Sequence, residues 1–234
     1  MKQKIAIISI ILLLSVTSSL AFEKDSENEH NKKLKRWSVS AWLGRSFSGP
    51  AKEIEKVMVD IGLNDSSGGL LGLKSYNHPR SEIGITWMIN GNYRLKQNFS
   101  VGVTISKSNI GTTHGYRDPT PLRINYSVTT FAPIISVQAN IFRFGLGPAL
   151  HIAKSDATSV IKNHNKFGFL IDFSFTIPEN SWFFLEFRAQ YKGIGNVEIG
   201  PYEITVVLKD PIIFPKTEVN YNDWSLGIGL GFRL

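Results

Sequence analysis

The last eleven residues of the chain, 224–234, alternate between large apolar side chains and mostly small ones. Successive side chains of a β-strand point to opposite faces, so this alternation predicts a strand with one large apolar face. That face holds Trp224, Leu226, Ile228, Leu230, Phe232 and Leu234. The other face holds Ser225, Gly227, Gly229, Gly231 and Arg233. A soluble sheet usually buries its large residues and exposes its charged ones, whereas a face that is mostly glycine suits a tight interior. The stretch therefore predicts a strand that lines a narrow enclosed space.

The N-terminus has the three parts of a secretory signal peptide. Lys2 and Lys4 are basic, the run 5–16 is apolar, and Ser19-Leu20-Ala21 supplies the small residues of a cleavage site. The apolar run is too short for a membrane-spanning helix, which needs about 20 residues. We therefore predict a signal peptide over 1–21 that is cleaved near Ala21. The alternative is an uncleaved anchor.

Composition limits what the exported part of the chain is. The segment 22–36 is highly charged and has little apolar surface to bury, which predicts a disordered leader. The rest of the chain, 37–234, suits a single domain. Without the signal peptide there are 24 Lys and Arg against 19 Asp and Glu, and this modest, scattered excess does not indicate nucleic-acid binding. The absence of cysteine excludes disulfides, thiolate metal sites and a lipidated N-terminal cysteine.

Eight stretches alternate as the last one does, and they predict eight strands. The strands begin near Trp37, Glu82, Phe99, Ile124, Phe142, Phe167, Phe183 and Trp224. Three connections between them are tight turns, at 96–98, near Asn140 and at 178–180. Four connections are long, at 44–80, 107–123, 154–165 and 192–220, and the two kinds alternate along the chain. This alternation is typical of a transmembrane β-barrel, which has short turns on one side of the membrane and long loops on the other.

Two local features modify this pattern. In the first long connection Ile54, Val57, Met58 and Ile61 recur at helical spacing. They predict a short helix that either caps the barrel mouth or acts as a lid over a binding site. Pro133 interrupts the fourth strand, where a proline cannot donate a ladder hydrogen bond, so it predicts a bulge or a phase slip.

The charged residues indicate which face of the strands points inward. The faces opposite the large apolar rows carry Glu82, Arg94, Arg143, Asp172, Glu186, Arg188 and Arg233. A lipocalin-type barrel alternates in the same way, with its charges outside and an apolar interior. However, the rows of Phe, Ile and Trp are too large to fit together inside eight strands, whereas charges of mixed sign pair well there. We therefore predict an all-β fold, an eight-stranded antiparallel up-and-down transmembrane β-barrel with long extracellular loops and one short helix in the first loop.

The strand count, the size and the C-terminal strand resemble the small eight-stranded outer-membrane β-barrel proteins of the OmpX, OmpW, opacity-protein and OmpA-barrel type. One departure is Leu234, since these proteins usually end in phenylalanine, although Phe232 keeps an aromatic residue in phase. The resemblance implies a multi-pass barrel in the outer membrane of a Gram-negative cell, with the leader in the periplasm. It also implies contact with lipopolysaccharide, and with the outer-membrane assembly machinery through the C-terminal strand.

Eight strands enclose an interior that side chains just fill, which argues against a general porin. The sequence therefore predicts a structural or surface interaction scaffold, for adhesion or binding, whose extracellular loops contact an extracellular protein or surface ligand. The alternative is a narrow, porin-like channel or conduit for small or hydrophobic ligands. The last long connection bears on this choice, because extended segments within 192–220 form either a protruding hairpin or a plug over the barrel mouth.

A lipid-modifying outer-membrane enzyme is the least favoured function. The resemblance implies a His-x-Ser pair on a strand for lipid A deacylases, but His151-Ile152-Ala153 has no serine at the third position. Ser155 lies two residues too far along. Four other histidines fall in the leader or the connections, one of them close to Asp118: His30, His78, His114 and His164. We therefore predict no catalytic, metal-binding or cofactor-binding residue.

Overall fold

The computed structural model describes residues 36–47, 51–63, 65–68, 74–77, 80–96, 98–117, 120–157, 160–178, 181–204 and 211–234. The predicted signal peptide lies outside these ranges, as does the predicted leader apart from Arg36, and both stay predictions. Within these ranges no helix combines the length and the apolar character needed to cross a membrane.

The described chain is almost entirely β-structure. In chain order its elements are β1 (Trp37–Ser46), α1 (Ala51–Asp60), β2 (Asp65–Gly68), β3 (Lys74–Asn77), β4 (Arg80–Ile83), β5 (Ile85–Lys96), β6 (Phe99–Arg117), β7 (Thr120–Ala139), β8 (Phe142–Ala157), β9 (Val160–Ile177), β10 (Phe183–Gly193), β11 (Asn196–Ile199), β12 (Tyr202–Ile204), β13 (Ile212–Phe214), β14 (Thr217–Asn220) and β15 (Asp223–Arg233). The helix α1 falls in the first long connection, so the predicted short helix is confirmed.

Eight of the strands form one closed antiparallel sheet. In sequence order they are β1, β5, β6, β7, β8, β9, β10 and β15, and each pairs with the next. The ring closes because β15 also pairs with β1 along its length. At the end of this seam the N–H of Trp37 donates to the carbonyl of Leu234 (3.2 Å), and the N–H of Leu234 donates to the carbonyl of Trp37 (2.8 Å). The predicted eight-stranded barrel is confirmed, and the C-terminal strand closes it.

Alternation along each strand decides which side chains enter the barrel. On β15 Ser225 is buried, whereas its neighbour Leu226 is 51% exposed on the outer surface. The glycines of this strand face inward, and a Cβ on Gly229 would lie 3.0 Å from the Cβ of Trp42. Trp42 comes from β1 and is only 3% exposed. The glycine-rich face of β15 therefore leaves room for the close approach of the neighbouring strand inside a narrow barrel.

The outer surface of the barrel is a belt of large apolar side chains. Members on different strands include Leu43, Ile89, Val103, Ile135, Leu146, Phe173 and Ile228. Aromatic pairs border the belt: Trp182 stacks on Phe232 at the tight-turn end (ring centroids 5.6 Å apart), and Tyr191 packs on Trp224 at the loop end (4.7 Å). Exposed apolar surface of this extent is unfavourable in water and favourable in the hydrocarbon of a bilayer. The chain is a transmembrane β-barrel of the outer-membrane type, with its apolar face outward as predicted.

Two of the four predicted long connections, 107–123 and 154–165, are wrong. Strand β6 continues to Arg117 and β7 begins at Thr120, while β8 continues to Ala157 and β9 begins at Val160. Gly111, Gly115 and Pro121, which indicated a loop in 107–123, lie within paired strands, and a shift of register near Gly111 accommodates one of them. The backbone N–H and C=O groups of these residues are hydrogen-bonded within the sheet. The barrel wall therefore continues beyond the apolar belt on the loop side.

The predicted bulge or phase slip at Pro133 is also wrong. The pairing of β7 with β8 is interrupted between Phe131, opposite Leu150, and Ile135, opposite Leu146, but it resumes in the same register. Pro133 and Pro148 thus face each other across the gap. Both prolines lack an N–H donor, and both lie in the same gap of the β7–β8 pairing. The inward–outward alternation of side chains therefore continues unchanged on both strands.

Candidate functional site

The loop-side mouth of the barrel is closed by α1 and by β11–β14, which we call the loop-end cap. The strands β11 and β14 pair from Asn196 opposite Asn220 to Ile199 opposite Thr217, and β12 pairs with β13 beyond them. The cap and the barrel wall together bury one apolar cluster: Ile54, Met58, Leu63, Ile110, Ile124, Tyr126, Val128, Ala153, Ile194, Val197, Ile199, Tyr202, Phe214, Val219 and Tyr221. Because the wall residues of this cluster come from the inner faces of β6, β7 and β8, the cap covers the mouth from within.

The helix α1 packs on the cluster through the stripe that the sequence predicted. Ile54 and Met58 are fully buried, while Val57 and Ile61 pack partly against the same cluster. The helix ends before Gly62, whose positive φ of 77° is a conformation that glycine adopts without strain. The carboxylate of Glu53 accepts a hydrogen bond from the N–H of Asn220 (2.6 Å) and so ties the helix to β14.

The hairpin of β11–β14 is attached to the barrel wall by side-chain hydrogen bonds. The hydroxyls of Ser155, on the inner face of β8, and Tyr202 lie 2.6 Å apart. At the base of the hairpin the side-chain oxygen of Asn222 accepts hydrogen bonds from the N–H groups of Ile194 and Gly195, both at 2.8 Å. Burial raises the pKa of the Tyr202 hydroxyl, so it stays neutral at physiological pH. Of the two arrangements left open for 192–220, the described residues form the one that covers the mouth.

Ser155→Ala is expected to loosen the cap without unfolding the barrel. The substitution removes one buried hydrogen bond to Tyr202, which is worth about 0.5–1.5 kcal/mol. Amide hydrogen exchange in β11–β14 measures the effect, and we expect it to accelerate while exchange in β15 stays unchanged. Tyr202→Phe removes the same bond from the other side, so the double variant should add little to either single one. Additive effects of the two substitutions would contradict a direct bond between these hydroxyls.

A buried network of four charges lies inside the barrel below the cap. Arg143 and Arg188 each donate to the same oxygen of Glu186, both at 2.8 Å. The Nε of Arg188 lies 3.4 Å from the carboxylate of Asp172, and a guanidinium nitrogen of Arg143 lies 3.9 Å from it. The formal charges of the four residues sum to zero, and none of the residues is more than 9% exposed. The prediction that inward charges of mixed sign pair inside the barrel is confirmed for these four residues.

A second buried ion pair lies closer to the cap and was missed in the sequence. Lys192 and Asp223 are cross-strand partners on β10 and β15, and their charged atoms are 3.2 Å apart. The same carboxylate oxygen of Asp223 accepts hydrogen bonds from the hydroxyls of Ser225 (3.0 Å) and Ser46 (3.2 Å). Lys192 also donates to the hydroxyl of Ser108. Lys192 continues the inward alternation of the residues before it, although 192–220 was predicted to be a long connection.

The other charges predicted to lie inside have different positions. Arg233 closes the tight-turn end, where its guanidinium lies 4.3 Å above the ring of Phe184 and donates to the carbonyl of Pro178 (3.1 Å). Arg94 is half-buried and donates to Gln138 (3.1 Å). Glu82 is exposed, so its predicted interior position is wrong. It belongs to β4, which is separated from β5 at Gly84 and pairs with β6 beyond the register shift.

His151, His164 and Ser155 form no catalytic arrangement in the part of the chain whose side chains the structure describes. The Nδ1 of buried His151 lies 2.9 Å from the hydroxyl of Thr130, whereas Ser155 is bonded to the cap. Among the described side chains no group of three or more His, Cys, Asp or Glu is placed to hold a metal ion. His30, His78 and Asp118 lie outside the described residues. The paired charges of the interior are arranged to hold strands together and to fill the space between them.

No family model and no curated protein matches the sequence. Among solved structures the chain is similar to Neisserial surface protein A, with 13% identity over 85% of this chain and 97% of that one, at a TM-score of 0.42. It is similar to the attachment invasion locus protein Ail of Yersinia pestis, in complex with the heparin analogue sucrose octasulfate (10% identity, 84% and 98% covered, TM-score 0.43). It is also similar to the outer membrane protein OprG of Pseudomonas aeruginosa (12%, 85% and 97%, TM-score 0.47). These similarities concern the barrel fold.

Proposed function

We propose that this protein is a structural and surface interaction scaffold of the outer membrane. In this proposal the barrel anchors the loop-end cap at the cell surface, and the outer side of the cap binds an extracellular protein or surface ligand. The proposal rests on one observation: the barrel is closed at two levels, inside by buried charges and at its mouth by the cap. We call this the double closure. Its interior at the level of the belt holds the network around Glu186 and the pair of Lys192 with Asp223, and its mouth is covered by the apolar cluster.

This double closure disfavours a conducting pore. A diffusing ion would have to separate buried ion pairs and then pass an apolar cluster, and both steps are costly. A rigid base, by contrast, is what a binding surface on loops requires. The alternative of a narrow conduit requires the cap to leave the mouth, which the hydrogen bonds of Ser155 and Glu53 oppose.

The outer side of the cap offers mixed chemistry to a partner. Ile213 on β13 is 62% exposed, and Lys216 forms an ion pair with Glu198 on the surface (2.8 Å). Protein-binding surfaces combine an apolar anchor with surrounding polar contacts, and the outer side of the cap presents side chains of both kinds. Two further partners are proposed for the anchor itself: lipopolysaccharide around the outer leaflet, and the assembly machinery, which would bind β15.

We expect Ile213→Asp combined with Lys216→Glu to lower adherence about tenfold or more. The assay compares Gram-negative cells that express the wild type or the variant on immobilised extracellular-matrix proteins. Because both positions are exposed, the barrel should keep its folded, heat-modifiable gel mobility. Lys96→Glu, a charge reversal at the tight-turn end, is the matched control and should adhere like the wild type. Steady single-channel conductance of the wild type in planar bilayers, without any adherence, would contradict the scaffold and support the conduit.

A further inference from the structure

The barrel wall has a bare strand edge on the loop side. Strand β9 pairs with β8 over its whole length, up to Val160 opposite Ala157. Its other neighbour, β10, pairs with it only as far as Gly193, which is opposite Phe169. Strand β10 ends there, and β11 pairs with β14 in the cap instead. Among the described strands none therefore pairs with 161–167 on the side away from β8.

The alternation of β9 decides which backbone groups point to this edge. The N–H of Thr176 donates to the carbonyl of Ile141, which lies on the β8 side (2.9 Å). Backbone groups of successive strand residues point to opposite sides, and the pairing of β9 with β8 continues without a shift of register. Odd-numbered residues of β9 therefore direct their N–H and C=O groups away from β8. Beyond the end of β10 these residues, which we call the β9 edge, are Ile161, Asn163, Asn165 and Phe167.

The side chains along the β9 edge differ between its two faces. On the outer face Phe167 is 87% exposed, and Asn165 beside it is also exposed. On the inner face His164 and Lys166 are half-buried. The segment 160–168 contains no acidic residue. The edge thus combines backbone groups that await a partner with an exposed aromatic ring on one face and a cation on the other.

The opposite edge of the same wall is covered. There β6 extends beyond β5, and the short strand β4 pairs with it from Ile83 opposite Gly111 to Arg80 opposite His114. Native proteins usually cover or shorten such edges, because a bare edge is a template for an incoming strand. In the described chain the β9 edge has no such cover, and 161–167 is long enough to pair with a strand of about five to six residues.

We propose that the β9 edge binds an extended segment of another protein, which adds to the barrel wall as a further strand. The backbone of the partner continues the ladder, its carboxylates face Lys166 on the inner side, and its apolar side chains face Phe167 on the outer side. This surface lies on the barrel wall, apart from the cap, so it goes beyond the proposed role of the cap and does not depend on it.

A second copy of this chain in the same membrane does not fit the β9 edge. Its own β9 runs in the same direction, so the two edges could pair only as parallel strands. The ladder of a parallel pair is staggered, whereas a two-fold axis along the strands places identical residues opposite each other. The partner is therefore a segment whose direction is not fixed by the same membrane.

The test uses the full barrel, purified in detergent, and a labelled, end-blocked peptide that alternates valine and glutamate. Fluorescence anisotropy of the peptide measures its affinity. Asn165→Pro removes an N–H that points to the edge and leaves the pairing with β8 intact. It should weaken binding about tenfold or more, because one hydrogen bond is lost and the proline ring blocks the approaching backbone. Asn165→Ala keeps the N–H and is the matched control, which should bind like the wild type.

Two further peptides test the ladder and the charge separately. The same peptide with methyl groups on its backbone nitrogens cannot form the ladder, so it should not bind, and this result does not depend on how well Asn165→Pro folds. Lys166→Glu should weaken binding of the glutamate peptide and strengthen binding of a peptide that alternates valine and lysine.

The cap variant with Ile213→Asp and Lys216→Glu should bind the glutamate peptide like the wild type, so a failure of adherence through the cap is distinguishable from a failure of the β9 edge. Equal affinities of Asn165→Pro and Asn165→Ala would overturn the proposal. So would undiminished binding of the methylated peptide, or the absence of wild-type binding at millimolar peptide.

Discussion

Replacement of Arg188 by alanine is expected to lower the free energy of unfolding by about 3–5 kcal/mol. The substitution leaves Glu186 and Asp172 buried, with Arg143 as the cation of the network that is left. Leaving one buried charge without its partner costs more free energy than the intact pair contributes to stability. The remaining charge cannot recover its hydration inside the barrel. The midpoint of urea unfolding, followed by the heat-modifiable gel mobility of the folded barrel, measures this loss.

The matched control is Lys216→Ala, which removes a cation from the exposed pair with Glu198. Solvent screens that pair, so the unfolding midpoint should stay close to the wild-type value. Arg188→Ala should also fail to conduct, because the cap still closes the mouth. A variant that unfolds at the wild-type urea concentration would show that Arg188 is hydrated in the folded protein, and the account of a filled interior would then be wrong.

Ile228→Arg is expected to destabilise the barrel by about 2–4 kcal/mol in a bilayer, because it places a charge on the lipid face near the middle of the belt. Ile228 is 51% exposed on that face, with Phe187 of β10 and Leu43 of β1 as its cross-strand partners. Phe232→Arg is the matched control on the same strand. It lies near the tight-turn end, where the same charge should cost about 0–1 kcal/mol. Reversible unfolding in lipid vesicles measures both values.

This prediction is tested by how the loss of stability depends on the depth of the substituted residue in the membrane. A loss at Ile228 that clearly exceeds the loss at Phe232 supports a belt immersed in hydrocarbon. Equal losses at the two positions would indicate that β15 does not cross the membrane. The levels of inserted protein in cells provide a second measurement, since a C-terminal strand that directs assembly should tolerate Phe232→Arg poorly even where its effect on stability is small.

The barrel was predictable because it depends on a pattern that the sequence displays directly. Period-two alternation on eight stretches determines which side chains face lipid, and mixed charges such as Glu186 and Arg188 show which face is enclosed. The same pattern extends to Lys192 and Asp223, and the error there came from ending the strands where the apolar face ended. Inward positions continue beyond the belt on the loop side, where the outer face has turned polar and no longer marks the strand.

The cap was predictable only in part. The helical stripe of Ile54 and Met58 was visible, because it lies within one continuous segment. Its partners were not, since Tyr202 and Phe214 come from short strands whose contacts depend on how the hairpin folds back. The inward position of Trp42 departs from the other inward residues of β1, which are small, and its ring lies against Gly44 two residues further along the same strand.

Fluorescence quenching by brominated acyl chains tests the central claim most directly, because it reports which face of the barrel meets lipid. Trp42 and Trp87 lie on neighbouring strands β1 and β5, one pointing inward at 3% exposure and the other outward at 44%. Two single-tryptophan variants, each with the other four tryptophans changed to phenylalanine, are compared in vesicles of brominated phosphatidylcholine. The structure predicts strong quenching of Trp87 and little quenching of Trp42. Quenching of Trp42 that equals or exceeds that of Trp87 would contradict a barrel with an enclosed polar interior and an apolar, lipid-facing exterior.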